Sequence, residues 1–290
     1  MLKSRLCIAF FAFAVGCAPA QKPLTDYVNP MLGTATLWDS VDLGFKPTKR
    51  TWGAEVFPGS SLPNAMVQVS PVTKFHSGAG YQYEDSVIYG FTHTNKGHWN
   101  LCHIPLLPVT GTPTPGDYCS PFSHERESAA PGYYQVFLDR YGVDAQLSST
   151  LRCAFHKYTY PAGAAPAVLA DLQRSNEHVR AWDIRKEGDN VFAGWQQTGE
   201  KMYFYAVANR PVTGIEPVVE GDREVRIVRF GEGDGALELR IGFSFVSEKN
   251  ARENLEAEML GKSFAEVRSE ATATWNDLLG RIRVEGGTER

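Results

Sequence analysis

The fold is decided by residues 132–160, GYYQVFLDRYGVDAQLSSTLRCAFHKYTY. Three segments of this stretch, residues 133–140, 143–152 and 154–160, are rich in aromatic and β-branched residues. Such segments, when turn residues separate them, are typical of β-strands that follow one another along the chain. The stretch therefore predicts three consecutive strands.

The same pattern continues towards the C-terminus. Further strands are predicted at residues 168–172, 179–184, 191–195, 202–208, 224–230 and 236–246. Residues 187–190 (EGDN) and 231–235 (GEGDG) are predicted to be hairpin turns. Because no helices alternate with these strands, the sequence predicts a mainly β fold, an antiparallel β-sandwich.

The periodicity changes after the last of these strands. Asn250, followed by Glu253, is a helix-capping signature, and Ser263, followed by Glu266, is a second one. Gly261 fits the C-terminal end of the first helix. One face of the second helix carries Phe264, Val267, Ala271, Trp275 and Leu278. Two short amphipathic helices after an all-β domain favour a linker that packs between two domains.

The N-terminus has the features of an export signal. Lys3 and Arg5 precede an apolar run at residues 6–15, which is too short to span a bilayer. We therefore predict a signal peptide over residues 1–20 and an exported protein.

Two processing routes stay open. Residues 14–17 (AVGC) resemble a bacterial lipobox, which would place a lipid on Cys17 and anchor the protein to the outer membrane. Residues 18–20 (APA) fit a signal-peptidase site that would release a soluble periplasmic protein beginning at Gln21. A lipid anchor would be the protein's membrane attachment in the first case.

The composition excludes some partners. The net charge is −4 and the sequence has no basic patch or charge run, which argues against nucleic acid. After processing, Cys102, Cys119 and Cys153 remain; they allow at most one disulfide, and their spacing fits no metal site.

Residues 80–100, GYQYEDSVIYGFTHTNKGHWN, have the makeup of a polyol-binding surface. Tyr81, Tyr83 and Trp99 can offer flat apolar faces to the C–H surface of a sugar. The polar groups for its hydroxyls would come from His93, Asn95, His98 and Asn100. The histidines could instead be held by local hydrogen bonds, or form part of a metal site, although their five-residue spacing lacks a ligand pattern. Sugar contact is the favoured interpretation.

The carboxylates show no catalytic pair. Glycoside hydrolysis usually uses two, and the candidates on loops or strand ends are Glu55, Glu84, Asp85, Glu125, Glu127, Asp171 and Glu177. Nothing in the sequence predicts that two of them face each other. Glu125 and Glu127, which flank Arg126, are predicted to form an ordinary solvated or paired cluster.

Short motifs along the chain match a known family. In chain order they are residues 28–30 (VNP), 33–34 (GT), 58–59 (PG), 67–71 (VQVSP), 79–81 (AGY), 90–94 (GFTHT), 124–125 (HE), 131–134 (PGYY), 241–247 (IGFSFVS) and 275–276 (WN). In this series the chain resembles the N-terminal domain of glycoside hydrolase family 92, the bacterial exo-acting α-mannosidases. Residues 95–100 (NKGHWN) depart from the family's pattern, in which a second His and a Leu-Ser-Gly run follow.

The resemblance implies a domain plan. Residues 21–247 would form a galactose-mutarotase-like supersandwich, and residues 248–290 a helical linker to a missing (α/α)₆ catalytic domain. That domain would hold the acid and base carboxylates and most of the Ca²⁺ ligands of an inverting, calcium-dependent α-mannosidase. We therefore expect no catalytic or metal-binding residue in this chain, no Ca²⁺ bound by it alone, and no activity by itself.

The expected role of this chain is one wall of the substrate pocket for a mannose-containing glycan. Residues 52–63 and 93–103 are the predicted wall. The predicted substrate-binding residues are Trp52, Gly53, Gly59, His93, Asn95, His98, Trp99 and Asn100. Two alternatives stay open: a stand-alone exported carbohydrate-binding module, and a remnant that needs a separately encoded partner domain.

Overall fold

The computed structural model describes residues 22–36, 44, 56–96, 99–282 and 284. The predicted signal peptide with Cys17, and the predicted site residues Trp52, Gly53 and His98, lie outside the described residues. Within the described ranges, no helix combines the length and apolar character needed to cross a membrane.

The described chain is built mainly of strands. In chain order these are β1 (Ser60–Ser61), β2 (Gln68–Val72), β3 (Val87–Ile88), β4 (Gly90–Thr92), β5 (Asn95–Lys96), β6 (Trp99–Asn100), β7 (Leu106–Val109), β8 (Ser120–Pro121), β9 (Glu127–Ala130), β10 (Tyr133–Leu138), β11 (Val143–Ser149), β12 (Cys153–Thr159), β13 (Ala167–Ala170), β14 (Ala181–Lys186), β15 (Val191–Gln197), β16 (Lys201–Ala208), β17 (Val212–Glu220), β18 (Arg223–Phe230) and β19 (Leu237–Ser244). Two 3₁₀ helices span Leu24–Tyr27 and His124–Arg126, and two α-helices follow the strands, α1 (Glu248–Glu258) and α2 (Phe264–Leu279).

Two large antiparallel sheets organise the strands. The seven-stranded sheet has the order β1-β2-β4-β7-β13-β18-β17, and the eight-stranded sheet the order β14-β15-β16-β19-β12-β11-β10-β9. Two short pairs, β3 with β8 and β5 with β6, lie outside them. The predicted antiparallel β-sandwich is confirmed.

The core lies between the sheets because side chains alternate along each strand. In β16, Met202, Phe204 and Ala206 are fully buried, while the residues between them are half-buried on the outer face. Phe91 of β4 and Ile227 of β18 join the same apolar cluster from the opposite sheet. The period-two pattern that predicts the strands therefore also decides which side chains form the core.

Three features of the sheets differ from the sequence prediction. Strands β1 to β9, all of which precede residue 133, were not predicted. β17 was not predicted, because Gly214 and Pro217 interrupt its pattern; it lies at the edge of its sheet, where a proline is tolerated. The predicted hairpin at residues 231–235 is wrong. This turn leads from β18 in one sheet to β19 in the other, whereas residues 187–190 do join the neighbouring strands β14 and β15.

The helix signals are confirmed in part. Ser263 and Glu266 form a reciprocal capping box at the start of α2, and Gly261 has a positive φ of 86°. The cap of α1, however, is Ser247, whose side chain accepts from the N–H of Asn250. Asn250 is therefore inside the first turn, because a residue three positions earlier already satisfies that N–H group.

Both helices pack on the outer face of the eight-stranded sheet. Leu255 and Met259 at the end of α1, with Phe264 and Val267 of α2, form an apolar cluster with Phe155 of β12. At the other end of α2, the Trp275 Nε1–H donates to the carbonyl oxygen of Ser61 at 2.7 Å. The apolar face that was predicted to pack between two domains is thus largely covered by this domain's own strands.

The three described cysteines are free thiols. Cys102 and Cys153 are buried and Cys119 is partly exposed. The disulfide that the sequence left open is absent among these three residues.

Gly242 allows α1 to lie directly on the sheet. A Cβ atom at this position of β19 would lie 2.1 Å from the carbonyl oxygen of Ala251 and 2.8 Å from Leu255 Cβ, both in α1. The helix must therefore move away from the sheet if any larger residue replaces this glycine.

We predict that Gly242→Ala lowers the free energy of unfolding by roughly 2–3 kcal/mol, because it overpacks the contact between helix and sheet. Gly199→Ala is the control: an added Cβ there meets nothing within 4 Å, so a change below about 1 kcal/mol is expected. Urea unfolding of both variants measures the difference. Equal stability of the two variants would show that α1 can shift without cost.

Candidate functional site

An open cleft of about 370 Å³ lies beside β6. Its lining residues are Gly33, Thr34, Ala35, Thr36, Val56, Lys74, His76, Ser77, Gly78, Ala79, Tyr81, Gln82 and Trp99. Trp99 is 40% exposed and offers an aromatic surface, and the buried Gln82 Oε1 has no hydrogen-bond partner among the described residues. An aromatic surface next to polar side chains is the combination that a sugar requires.

Of the predicted substrate-binding residues that the structure describes, Trp99 lines this cleft. Gly59 lines a separate apolar cavity of about 200 Å³ together with Trp275 and Leu279. Asn95 pairs with Asn100 across β5 and β6, and its amide atoms are buried without a partner in the described ranges. The sugar contacts of these residues stay predictions.

Asn100 supports the cleft from behind. Its Nδ2 donates to the carbonyl oxygen of Ala79 at 3.2 Å, and its Oδ1 accepts from the N–H of Cys102 at 2.7 Å. Gly80 passes against this amide with a φ of 76°, and a Cβ atom there would lie 2.6 Å from Asn100 Nδ2. The side chain is fully buried, so it fixes the loop that forms the cleft wall.

A buried carboxylate fixes a second part of the lining. Glu127 at the start of β9 has a side chain that is 1% exposed. It accepts from the hydroxyl of Tyr81 at 2.9 and 3.0 Å, from that of Tyr134 at 2.5 Å, and contacts His124 Nδ1 at 2.6 Å. Burial, and then the charge of Glu127, raise the pKa of Tyr81 far above its ordinary value, so this hydroxyl stays a donor.

His124 extends this network to Tyr83. Its Nε2 lies 2.7 Å from the carbonyl oxygen of Tyr83, and the two rings stack with centroids 3.9 Å apart. A carbonyl oxygen can only accept, so Nε2 carries a proton. The prediction that Glu127 joins a solvated or paired cluster around Arg126 is wrong: Arg126 pairs with Asp139 instead, and Glu127 turns inward. Sequence alone gave no sign of this, because its partners lie on other elements.

His93 is a core residue. It is fully buried, with its Nε2 3.0 Å from Nε2 of His156, whose Nδ1 lies 2.5 Å from the hydroxyl of Tyr158. Its ring also lies 4.5 Å from that of Phe243. Burial lowers the pKa of His93 to about 3 and holds the pKa of His156 well below its ordinary value. The structure therefore places His93 between the sheets, away from the cleft.

Strained backbone surrounds His103. Cys102 and Ile104 have φ angles of 54° and 53°, in a region that a β-branched residue rarely adopts. His103 itself is buried, with Thr94 Oγ1 2.9 Å from its Nδ1 and Thr198 Oγ1 3.1 Å from its Nε2. Burial lowers the pKa of His103, so the neutral ring is the form that bridges the two hydroxyls. Strained residues of this kind cluster at functional sites.

The carboxylates do not form an acid–base pair in the cleft. Asp171 is buried and accepts from the hydroxyl of Tyr118 at 2.6 Å and from Arg223 Nη2 at 2.7 Å, which is a structural pairing. Burial raises the pKa of Asp171. The described residues that line the cleft include no Asp or Glu.

The described residues do not fit the calcium ion that the family resemblance implies. Ca²⁺ takes six to eight oxygen ligands, usually with several carboxylates. Within the ranges that the structure describes, no three His, Cys, Asp or Glu side chains are grouped so that they could hold a metal ion.

Comparison with known proteins identifies the family to which this β-sandwich belongs. A family model described as the glycosyl hydrolase family 92 N-terminal domain matches residues 27–254, and the model of that family's catalytic domain matches residues 250–290. The chain therefore belongs to glycoside hydrolase family 92, and the predicted resemblance is confirmed.

Individual relatives agree with this assignment. The structure of the family GH92 α-mannosidase BT3965 from Bacteroides thetaiotaomicron is 25% identical, with a TM-score of 0.80, over 92% of this chain and 39% of that one. The inverting mannosidase BT2199 of the same family and organism is also 25% identical, with a TM-score of 0.76, over 91% of this chain and 37% of that one. An uncharacterized secreted glycosidase from Arthroderma benhamiae is 24% identical over 314 residues, covering 90% of this chain and 38% of that protein. The chain thus spans about two fifths of the length of these relatives.

We predict that the buried histidine pair makes the fold less stable in acid. The folded pKa of His93 is about 3, below the value of about 6.5 expected in the unfolded chain, so the unfolded state binds the proton more tightly. The buried neutral histidines lower the free energy of unfolding by nothing above about pH 6.5. As the pH drops from there towards 3, the free energy of unfolding falls by about 1.4 kcal/mol per pH unit for each buried histidine that must stay neutral.

Urea unfolding between pH 7 and pH 5 measures this slope. His93→Gln removes one of the two titrating rings and should flatten it, whereas His178→Gln, at an exposed position, should leave it unchanged. An identical slope for His93→Gln and the unmodified chain would contradict the assignment.

Proposed function

We propose that this chain forms the N-terminal β-domain of an inverting, calcium-dependent α-mannosidase that acts on mannose-containing glycans, and that its cleft forms part of the substrate pocket. Membership of family 92 supports the proposal, as do the solved relatives named as an α-mannosidase and an inverting mannosidase. In this proposal, cleavage of the glycosidic bond, linkage specificity and calcium binding are properties of the complete enzyme.

The observation that carries the proposal is the cleft at Trp99. Its ring is partly exposed at the lining, where the C–H face of a mannose ring can stack on it. Gln82 and Ser77 lie in the same lining. The Ser77 hydroxyl donates to the carbonyl oxygen of Lys74 at 2.7 Å and can still accept from a sugar hydroxyl. A cleft that is open to solvent holds a sugar weakly until another domain covers it.

The cleft supplies binding and no acid–base chemistry. Inverting hydrolysis needs a general acid and a general base on opposite faces of the sugar, roughly 6.5–9.5 Å apart. The described lining carries no carboxylate, and the described ranges carry no metal-ligand cluster. We therefore place the acid, the base and the Ca²⁺ site in a catalytic domain beyond the described residues, and propose that this chain is inactive alone.

We also propose that the protein is exported. The basic and apolar segments of residues 1–20 support a signal peptide, and the relative from Arthroderma benhamiae is named as secreted. Release into the periplasm and lipid anchoring through Cys17 are the two destinations that the sequence allows.

We predict that the chain binds mannose or a mannoside with a Kd near 1 mM, about 4 kcal/mol of binding free energy, and that Trp99→Ala abolishes this binding. Chemical-shift changes on titration should cluster on residues 76–82 and Trp99. Trp195→Ala is the control, because this tryptophan does not line the cleft. The thermal unfolding midpoint of Trp99→Ala should stay within a few degrees of the unmodified chain, since a surface residue contributes little to the core. Shifts that persist in Trp99→Ala would place the sugar elsewhere.

We predict that the purified chain releases no mannose from an aryl α-mannoside or α-mannobiose in the presence of Ca²⁺. General acid and base catalysis contribute roughly 10²–10⁴-fold each, so if both groups belong to another domain, as we propose, release should not exceed the buffer rate. Mannose release that depends on Ca²⁺ and survives repeated purification would show that the chemistry lies in this chain.

A further inference from the structure

A third chain segment, residues 171–177, joins the two main walls of the cleft from behind. It contributes no lining residue, yet it bonds both to the loop that carries His76 and to the strand end that carries Trp99. These contacts converge on one side chain, the amide of Asn176.

Asn176 uses both ends of its amide. Its Oδ1 accepts from the N–H of His76 at 2.6 Å, and its Nδ2 donates to the carbonyl oxygen of Asn100 at 2.6 Å. Its backbone N–H donates to the carbonyl oxygen of Leu101 at 3.0 Å. One residue therefore fixes the position of the 74–80 loop relative to the residues that follow Trp99.

The segment that carries Asn176 is itself held firmly. Gln196 of β15 is fully buried, and its Nε2 donates to the carbonyl oxygens of Leu172 and Arg174, each at 2.9 Å. The Ser175 hydroxyl donates to the carbonyl oxygen of Leu101 at 2.7 Å. Asn176 is thus attached to the core of the eight-stranded sheet, and it transmits that rigidity to the cleft.

The loop that Asn176 holds needs such an anchor. His76 has a φ of 60°, which a residue other than glycine adopts at a cost. The loop tip is otherwise fixed by Asn100, whose N–H donates to the carbonyl oxygen of Gly78 at 2.9 Å. Because Asn176 also holds the carbonyl group of Asn100, the two asparagines form a chain of amides from the core to the tip.

We propose that Asn176 is a positioning residue for the sugar cleft: it sets the separation between the His76–Gly78 wall and Trp99 without lining the cleft itself. The inference rests on the proposed function of this cleft. This role requires a side chain of asparagine length that accepts a hydrogen bond from the His76 N–H and donates one to the Asn100 carbonyl oxygen. Aspartate keeps the acceptor for the His76 N–H but places a carboxylate oxygen against the carbonyl oxygen of Asn100, so one of the two bonds is lost.

The test compares Asn176→Asp with a matched control, Asn190→Asp. Asn190 is also half-buried, and its Nδ2 donates to a backbone carbonyl oxygen, that of Ala208 at 2.7 Å, in the turn before β15. We expect Asn176→Asp to weaken mannoside binding about ten-fold and to speed amide hydrogen exchange at Asn100, because the lost bond frees this residue and its N–H is bonded to the carbonyl oxygen of Gly78. Asn190→Asp should lower the thermal midpoint by a similar amount while both cleft readouts stay unchanged. If Asn176→Asp does not fold, Asn176→Ser, which is too short to make both bonds, takes its place.

The outcomes separate this inference from the proposed function. If the unmodified chain binds the mannoside and the Asn176 variant binds it equally well, the inference is overturned and the proposed function stands. If the unmodified chain binds no mannoside, the proposed function fails and the exchange at Asn100 decides the inference. Faster exchange in the Asn176 variant alone then supports positioning of the wall, and unchanged exchange overturns it.

Discussion

Irregular backbone that packs against a sheet must find hydrogen-bond partners for its N–H and C=O groups, and this constraint shapes the side of the sandwich that carries the cleft. The loops there have few strand neighbours of their own. Side-chain amides of Asn100, Asn176 and Gln196 supply the partners that a regular ladder would otherwise provide. The Oδ1 of Asn100 and the Oε1 of Gln196 also accept from the N–H groups of Cys102 and Ile104, where the backbone is strained. The cleft geometry is therefore set by a few directional bonds rooted in the core.

The outer face of the eight-stranded sheet, where the helices pack, follows a simpler rule. Its apolar residues must be covered, and α1 and α2 cover them at close range because Gly242 leaves room for the helix backbone. Trp275 ties the end of α2 to the edge of the other sheet through the carbonyl oxygen of Ser61. The helices are thus part of the packing of this β-domain, even though the family's catalytic-domain model begins to match at residue 250.

The helix-covered face and the cleft differ in the kind of contacts that they contain. The helices pack on an apolar cluster that provides stability, whereas the cleft side carries backbone with positive φ at His76, Cys102 and Ile104 and an exposed aromatic ring at Trp99. Proteins keep such costly features where ligands replace the lost contacts. This contrast supports the proposal that the cleft wall meets a sugar.

The sequence by itself determined most of the strands after residue 132, the sandwich class, the capping box at Ser263 and the family, because alternation, turn chemistry and capping are local patterns that a chain displays in order. It also pointed to residues 80–100, and Trp99 of that stretch does line the cleft. Tertiary structure decided the rest. It buried His93 beside His156, turned Glu127 inward to two tyrosines, and sent residues 231–235 across to the second sheet. It also joined Asn176 to His76, a hundred residues away in the chain. These outcomes depend on which distant groups meet when the sheets close on each other, and no local pattern carries that information.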